Sequence, residues 1–195
     1  MPRLARLALL TLVLAASSCA DDPLIGPRPE AASETVQLST VMHDGSLAYV
    51  ANLGSDNVSV IRLSDNSLVA TVPVGRWPFG VALAPDAEHV YVANILSHSV
   101  SVIRTSDHTA IATVPVGRDP HGVAVAPGGA AVYVANHAAN TVSVIQRPGH
   151  VVTATIPVGA NPYGMAFAPD GSRLYVTNTI SSDISIIQTS DNTVL

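Results

Sequence analysis

"YVAN", Tyr49–Asn52, returns at Tyr91–Asn94 and Tyr133–Asn136, and as "YVTN" at Tyr175–Asn178, each copy 42 residues after the last. "VPVG" at Val72–Gly75 and Val114–Gly117, with "IPVG" at Ile156–Gly159, keeps the same step. So does "VSVI", which ends at Ile61, Ile103 and Ile145 and is followed by "ISII" ending at Ile187. No insertion or deletion interrupts the ladder, so the copies are units of one structure. Self-similarity at about 40 residues, carried by strand-like pieces, is the pattern of propeller blades.

Each unit resolves into four short strands. In the second, "GVALA" (Gly80–Ala84) is followed by a "PDAE" turn, "HVYVAN", a polar "ILSHS" loop, "VSVIR", a "TSDHT" turn and "AIATVPV". The segments are rich in Val, Ile, Thr and Tyr and are bounded by Pro, Gly, Asp, Asn and Ser, which is strand and turn chemistry. The innermost strands read "GVALA", "GVAVA" and "GMAFA". Small residues suit a strand crowded near a common axis. The expectation is an all-β propeller of four-stranded blades, four of them present and the last truncated.

These repeats resemble the YVTN-type β-propeller proteins of bacterial envelopes and archaeal surface layers, over about Glu34 to the C-terminus. The resemblance implies a propeller, usually of seven blades, and a secreted or surface location. It implies no one chemistry, because that family shares none. The fourth unit reads "TSDNTVL" where the second continues "TSDHTAIATVPVG". The reading is therefore of a partial propeller, with bare strand edges that another copy of the chain could complete by self-association.

The N-terminus reads as an export signal over residues 1–19. "MPRLAR" is a basic segment, "LALLTLVLAA" an apolar core, and "SSCA" brings small residues to a processing point. "ASSC" resembles a lipobox, with Ala16 in place of the more usual Leu, Val or Ile, and makes Cys19 the lipidation candidate. Ordinary cleavage nearby, for instance after Ala20, is the alternative. Residues 20–33 are polar and Pro-rich, the composition of a flexible linker, and 34–195 form the partial propeller. The expected location is the periplasm or cell surface, with a lipid anchor as the only membrane contact.

Composition excludes some functions. From Ala20 onward seven arginines face fourteen acidic residues, and the chain has no lysine. That balance argues against a general nucleic-acid binder, which would carry basic clusters. No cysteine follows Cys19, so no disulfide braces the repeats.

Candidate site residues come from comparing units. "WPFG" (Trp77–Gly80), "DPHG" (Asp119–Gly122) and "NPYG" (Asn161–Gly164) share one frame, so Phe79, His121 and Tyr163 fill equivalent slots. The inner strand runs antiparallel to the YVAN strand, which pairs His121 with about Asn136 and brings His137 to the same face. Ligand contact is expected at the mouth of the central channel, through Arg76, Trp77, Phe79, Arg118, His121, His137, Asn161 and Tyr163. The His121–His137 pair admits a metal reading, but such a site wants three or four ligands. An aromatic slot that also accepts Phe and Tyr is the simpler account. Neither a cofactor, a metal nor a catalytic residue is expected.

The repeated Asn52, Asn94, Asn136 and Asn178 read as strand-end caps bonded to local backbone. Tyr49, Tyr91, Tyr133 and Tyr175 read as wedges between blades, and His108 and His150 as exposed turn residues. No Gly-x-Ser-x-Gly frame, phosphate loop or calcium loop is present. Two functions remain open. One is a non-catalytic envelope scaffold binding a protein or small molecule at its mouth. The other is a periplasmic enzyme, metal-dependent or lactonase-like, working on the same rim.

Overall fold

A computed structural model describes the backbone of residues 36–41 and 45–195 and the side chains of residues 45–195. The signal, Cys19 and the linker lie outside the described residues. The described strands form four antiparallel sheets, each of four strands hydrogen-bonded in chain order. Blade 1 holds β1 (Val36–Val41), β2 (Leu47–Asn52), β3 (Asn57–Arg62) and β4 (Ser67–Pro73). Blade 2 holds β5 (Pro78–Leu83), β6 (His89–Asn94), β7 (Ser99–Arg104) and β8 (Thr109–Pro115). Blade 3 holds β9 (Pro120–Val125), β10 (Ala131–Asn136), β11 (Thr141–Gln146) and β12 (Val151–Pro157). Blade 4 holds β13 (Pro162–Phe167), β14 (Arg173–Asn178), β15 (Asp183–Gln188) and β16 (Thr193–Val194). The all-β propeller with a short last strand is the fold that the repeats predict.

The core lies between blades, because alternate residues of each strand face one neighbour or the other. Tyr49, Val58, Val60 and Val72 of blade 1 pack with Val81, Val90, Val92 and Ile103 of blade 2. The next seam repeats the pattern with Tyr91, Val100, Val102 and Val114 against Val132, Val134 and Ile145. The third joins Tyr133, Val142, Val144 and Ile156 to Leu174, Val176 and Ile187. Burying each such side chain contributes about 1.5–3 kcal/mol, so the seams carry the apolar stabilisation. On the far side of blade 4, Tyr175 and Ile184 are exposed, whereas their equivalents Tyr133 and Val142 are buried.

Tyr49, Tyr91 and Tyr133 are the wedges that the sequence suggests, whereas Tyr175 is exposed, and the hydroxyls of the three reach further than expected. Tyr49 Oη lies 2.9 Å from His108 Nδ1, Tyr91 Oη 3.3 Å from His150 Nδ1, and Tyr133 donates to Asn192 Oδ1 at 2.9 Å. Each bond crosses to the next blade's turn between its third and fourth strands. His108 and His150 are therefore half-buried acceptors at the seams, not free turn residues. They occupy left-handed positions, with φ of 56° and 51°, which Asn66 and Asn192 fill in blades 1 and 4. Burial pushes the Tyr49 hydroxyl up to about 12, which keeps its proton available for the bond.

At the axis the packing is backbone to backbone. A Cβ added to Gly80 would overlap the carbonyl oxygen of His121, and one added to Gly122 would overlap that of Tyr163. Only glycine lets adjacent inner strands approach so closely. Gly122→Ala should therefore destabilise the protein by about 3 kcal/mol, the upper range for overpacking. Gly128, which has nothing within 4 Å of its Cβ direction, is the control. Gly128→Ala should stay within about 0.5 kcal/mol in urea denaturation, as ordinary surface changes do.

Candidate functional site

The mouth is built where the chain leaves the outer strand of one blade and enters the inner strand of the next. Three such links run over the loop between the second and third strands. Val74, Val116 and Val158 donate their amides to Asp56, His98 and Asn140 carbonyls, each at 3.0 Å. Ile95, His137 and Thr179 return amides to the carbonyls of Trp77, Asp119 and Asn161 at 3.0, 2.9 and 2.9 Å. Trp77, Asp119 and Asn161 are left-handed at φ 56°, 53° and 56°, each directly before a proline. Asp and Asn tolerate that conformation; a bulky Trp is an outlier there. Trp77 is held in it by Asp56 Oδ1, which accepts its amide at 2.9 Å, and its indole is 46% exposed.

The Pro-x-Gly slots then bring their rings together. Phe79 lies 5.1 Å from His121 and 5.8 Å from Tyr163 between ring centroids, and His121 lies 5.2 Å from Tyr163. His137 joins them at 4.6 Å from His121 and 6.2 Å from Tyr163. Edge-on and tilted pairs at these spacings are favourable aromatic contacts. The register differs from expectation by one residue. Asn136 pairs with Pro120 rather than His121, because the β9–β10 ladder shifts between Val134 and Asn136. The shift leaves the His121 ring free to lean on its neighbours.

Hydrogen bonds define what the imidazoles offer. His121 Nδ1 is 2.9 Å from the Asp119 carbonyl, so it carries the proton and Nε2 keeps the lone pair. The Asn161 amide lies across the His137 ring, 3.2 and 3.1 Å from its two nitrogens. Burial, and then the neighbouring His121, hold the pKa of His137 below the ordinary imidazole value. Arg76 and Arg118 are exposed, and Arg118 makes only a 3.5 Å contact to the Ala138 carbonyl. Asp119 is turned toward His98, whose Nδ1 is 3.8 Å from the carboxylate. Five of the eight expected residues thus converge: Phe79, His121, His137, Asn161 and Tyr163. Trp77, Arg76 and Arg118 stand on the flanking links.

Among the described residues, the grouping that could hold a metal is elsewhere, at Asp86, Glu88 and His89. It lies in the turn entering β6, and Arg147 already places a guanidinium nitrogen 2.7 Å from Asp86 Oδ2. A cation is already seated there. The mouth supplies two imidazoles, short of the three or four ligands a zinc site uses.

The repeated asparagines are not local caps. Asn94 Nδ2 donates to Ser99 and Ser101 hydroxyls at 3.2 and 3.0 Å, Asn136 to Thr141 and Ser143 at 3.0 and 2.8 Å. Asn178 donates to Asp183 at 2.7 Å and Ser185 at 2.9 Å; a carboxylate only accepts, which fixes the amide orientation. A Cβ on Gly75 or Gly117 would come within 2.6 Å of the Asn94 or Asn136 amide carbon. The side chains therefore bridge a hairpin and pack against the glycine of the incoming link. Backbone capping failed as an expectation because the partners lie five and seven residues on, across the next loop.

If the His121 slot needs a ring rather than a nitrogen, His121→Phe should keep stability within about 1 kcal/mol, as near-isosteric swaps do. His121→Ala should cost about 2 kcal/mol by leaving a hole. Urea denaturation with and without chelator checks this; equal losses in the two variants with a chelator-sensitive parent would overturn it.

Comparison with known proteins agrees with this architecture. Residues 86–193 match the model of the YNCE-like beta-propeller family, and residues 24–114 match that of the lactonase, 7-bladed beta-propeller family. No curated protein matches the sequence. Among solved structures, hydrazine synthase of Kuenenia stuttgartiensis is 26% identical with a TM-score of 0.74, covering 82% of this chain and 47% of that one. A putative 6-phosphogluconolactonase of Bacteroides uniformis is 14% identical with a TM-score of 0.71, covering 82% and 52%. A functionally unknown protein of Desulfotomaculum acetoxidans is 19% identical with a TM-score of 0.66, covering 82% and 55%. The chain spans about half the length of these structures. The first match covers more than half of this sequence and runs through three of the four blades described above: the chain belongs to the YNCE-like beta-propeller family.

Proposed function

We propose that the protein is a non-catalytic, exported binding scaffold whose ligand docks at the channel mouth. The observation that carries this reading is Trp77: a large aromatic side chain held at φ 56°, nearly half exposed, on the link beside the ring cluster. Residues kept in sparsely populated backbone conformations concentrate at functional sites. The exposed Arg76 and Arg118 guanidiniums on the links are donors. The edge-on and tilted rings of Phe79, His121 and Tyr163 add an aromatic wall. This chemistry favours a small ligand with a planar group and a carboxylate or phosphate.

Trp77 is the only tryptophan in the chain, so its fluorescence reports the mouth directly. Benzoate and phenyl phosphate, titrated separately, should change its emission saturably, and Arg118→Ala should weaken the response about tenfold, as loss of one charge-assisted contact does. Absence of a saturable change with both probes, or a change indifferent to Arg76→Ala and Arg118→Ala, would overturn the anion reading.

A second reading is favoured by the match to the lactonase family over residues 24–114 and by the free Nε2 of His121. That nitrogen could act as a general base on water attacking a lactone carbonyl. Hydrolysis of 6-phosphogluconolactone above the uncatalysed rate, abolished by His121→Phe, would establish it in place of the scaffold.

Membrane attachment through Cys19 belongs to the same proposal and rests on the lipobox-like "ASSC". Cys19→Ser should move the protein from the detergent to the aqueous phase of a Triton X-114 partition while the melting curve stays the same. Unchanged partitioning excludes the anchor.

A further inference from the structure

The seam between blades 2 and 3 differs from the other two. Every seam has a tyrosine reaching the turn of the next blade, but here two positions around that bond, those of His89 and Arg147, are replaced together. His89 stands where blades 1 and 3 have Leu47 and Ala131, and Arg147 stands where blades 2 and 4 have Thr105 and Thr189. His150 takes the position that His108 fills at the preceding seam and Asn192 at the next, but only His150 has an imidazole and a guanidinium beside it. Thr105 and Thr189 donate their hydroxyls to the Ala87 and Gly171 carbonyls at 2.7 Å. Arg147 makes the same bond from Nη1 to the Gly129 carbonyl at 2.7 Å, then reaches into blade 2. Its second nitrogen contacts Asp86 Oδ2 at 2.7 Å and His89 Nδ1 at 3.4 Å, and its guanidinium carbon lies 5.8 Å from the centre of the Tyr91 ring.

His150 closes this cluster. Its ring is 5.3 Å from His89 and 5.9 Å from Tyr91, with Nδ1 at 3.3 Å from the Tyr91 hydroxyl. From β6 it is faced by His89 and Tyr91, and from the end of β11 by Arg147. The turn before β6 brings Asp86 and Glu88, which group with the His89 ring rather than with His150. The Arg147 side chain is 9% exposed and tied at both ends, so it cannot retreat from a new charge. A protonated His89 would find the Asp86 and Glu88 carboxylates beside it to offset Arg147. A protonated His150 would find an arginine and a second imidazole.

We propose that this seam is a pH-operated joint, closed while His150 is neutral and loosened when His150 takes a proton. Burial first, then His89 and Arg147, hold the pKa of His150 below the ordinary value of 6.5. The closed seam thus binds a proton less readily than the open one. Its contribution is complete above the unfolded pKa and is lost as the pH falls below about 6.5. On protonation Nδ1 turns from acceptor to donor, so Tyr91 keeps a partner while the charge repulsion remains. The predicted change is a local opening rather than global unfolding.

Amide hydrogen exchange on the full chain, corrected for the intrinsic pH dependence of exchange, tests the joint. Between about pH 7.5 and about pH 5, on either side of the imidazole value, protection around Tyr91 and Ile145 should fall several-fold. Protection around Tyr133 and Ile187, at the seam closed by Asn192, should hold. His150→Asn installs the residue that the next blade already uses and should abolish the response, and Arg147→Thr installs the one in blade 2 and should weaken it. An equal loss at both seams, or a response that survives His150→Asn, would overturn the proposal.

Discussion

The contact on which the rest of the structure depends is that of Gly80 against the His121 carbonyl, repeated by Gly122 against Tyr163. Inner strands of neighbouring blades touch through backbone, and nothing larger than hydrogen fits between them. That spacing sets the angle between blades and therefore how their faces meet. It also places the residue before each glycine, Phe79, His121 or Tyr163, at the axis, where the rings find one another. The aromatic cluster is thus a consequence of close approach at the axis, and the identity of each ring is left comparatively free.

Farther from the axis, apolar area dominates. The tyrosines and valines of one blade fill the face of the next, and a single hydroxyl bond to a left-handed turn residue registers the two. A net hydrogen bond contributes about 1 kcal/mol, less than the burial of one of these side chains. Its role is to fix alignment, because a hydroxyl bond is directional and dispersion is not. Any acceptor that tolerates positive φ serves, which is why His108, His150 and Asn192 share the position.

The fold was legible because the repeat is strict: a 42-residue step without gaps leaves little freedom in strand order, and tyrosine at a fixed phase predicts its own burial. The ring cluster was legible for the same reason, through the shared Pro-x-Gly frame. Two kinds of contact were not. The Asn94 and Asn136 bridges reach across a loop whose path periodicity does not specify. The tyrosine–turn bonds join residues 59 apart, more than one repeat, so alignment of the units conceals them. The one-residue error at Asn136 has a similar origin, since a ladder shift leaves no mark in composition.

A repeat also separates what the fold requires from what it permits. Tyr91 and Asn94 have counterparts in all four blades and Gly80 in blades 3 and 4, and each is tied to packing. Trp77, His137, His89 and Arg147 depart from their equivalents in the other units, so packing alone does not account for them. Two of these departures lie at the mouth, and two lie at one seam near the opposite ends of the strands. Where a fold hosts many functions, chemistry resides in such departures. Trp77 makes the argument most strongly, because its equivalents Asp119 and Asn161 relieve the left-handed backbone that it must endure. A bulky residue in a left-handed backbone that its siblings fill with Asp and Asn is the strongest ground for the proposal that a ligand docks at the mouth.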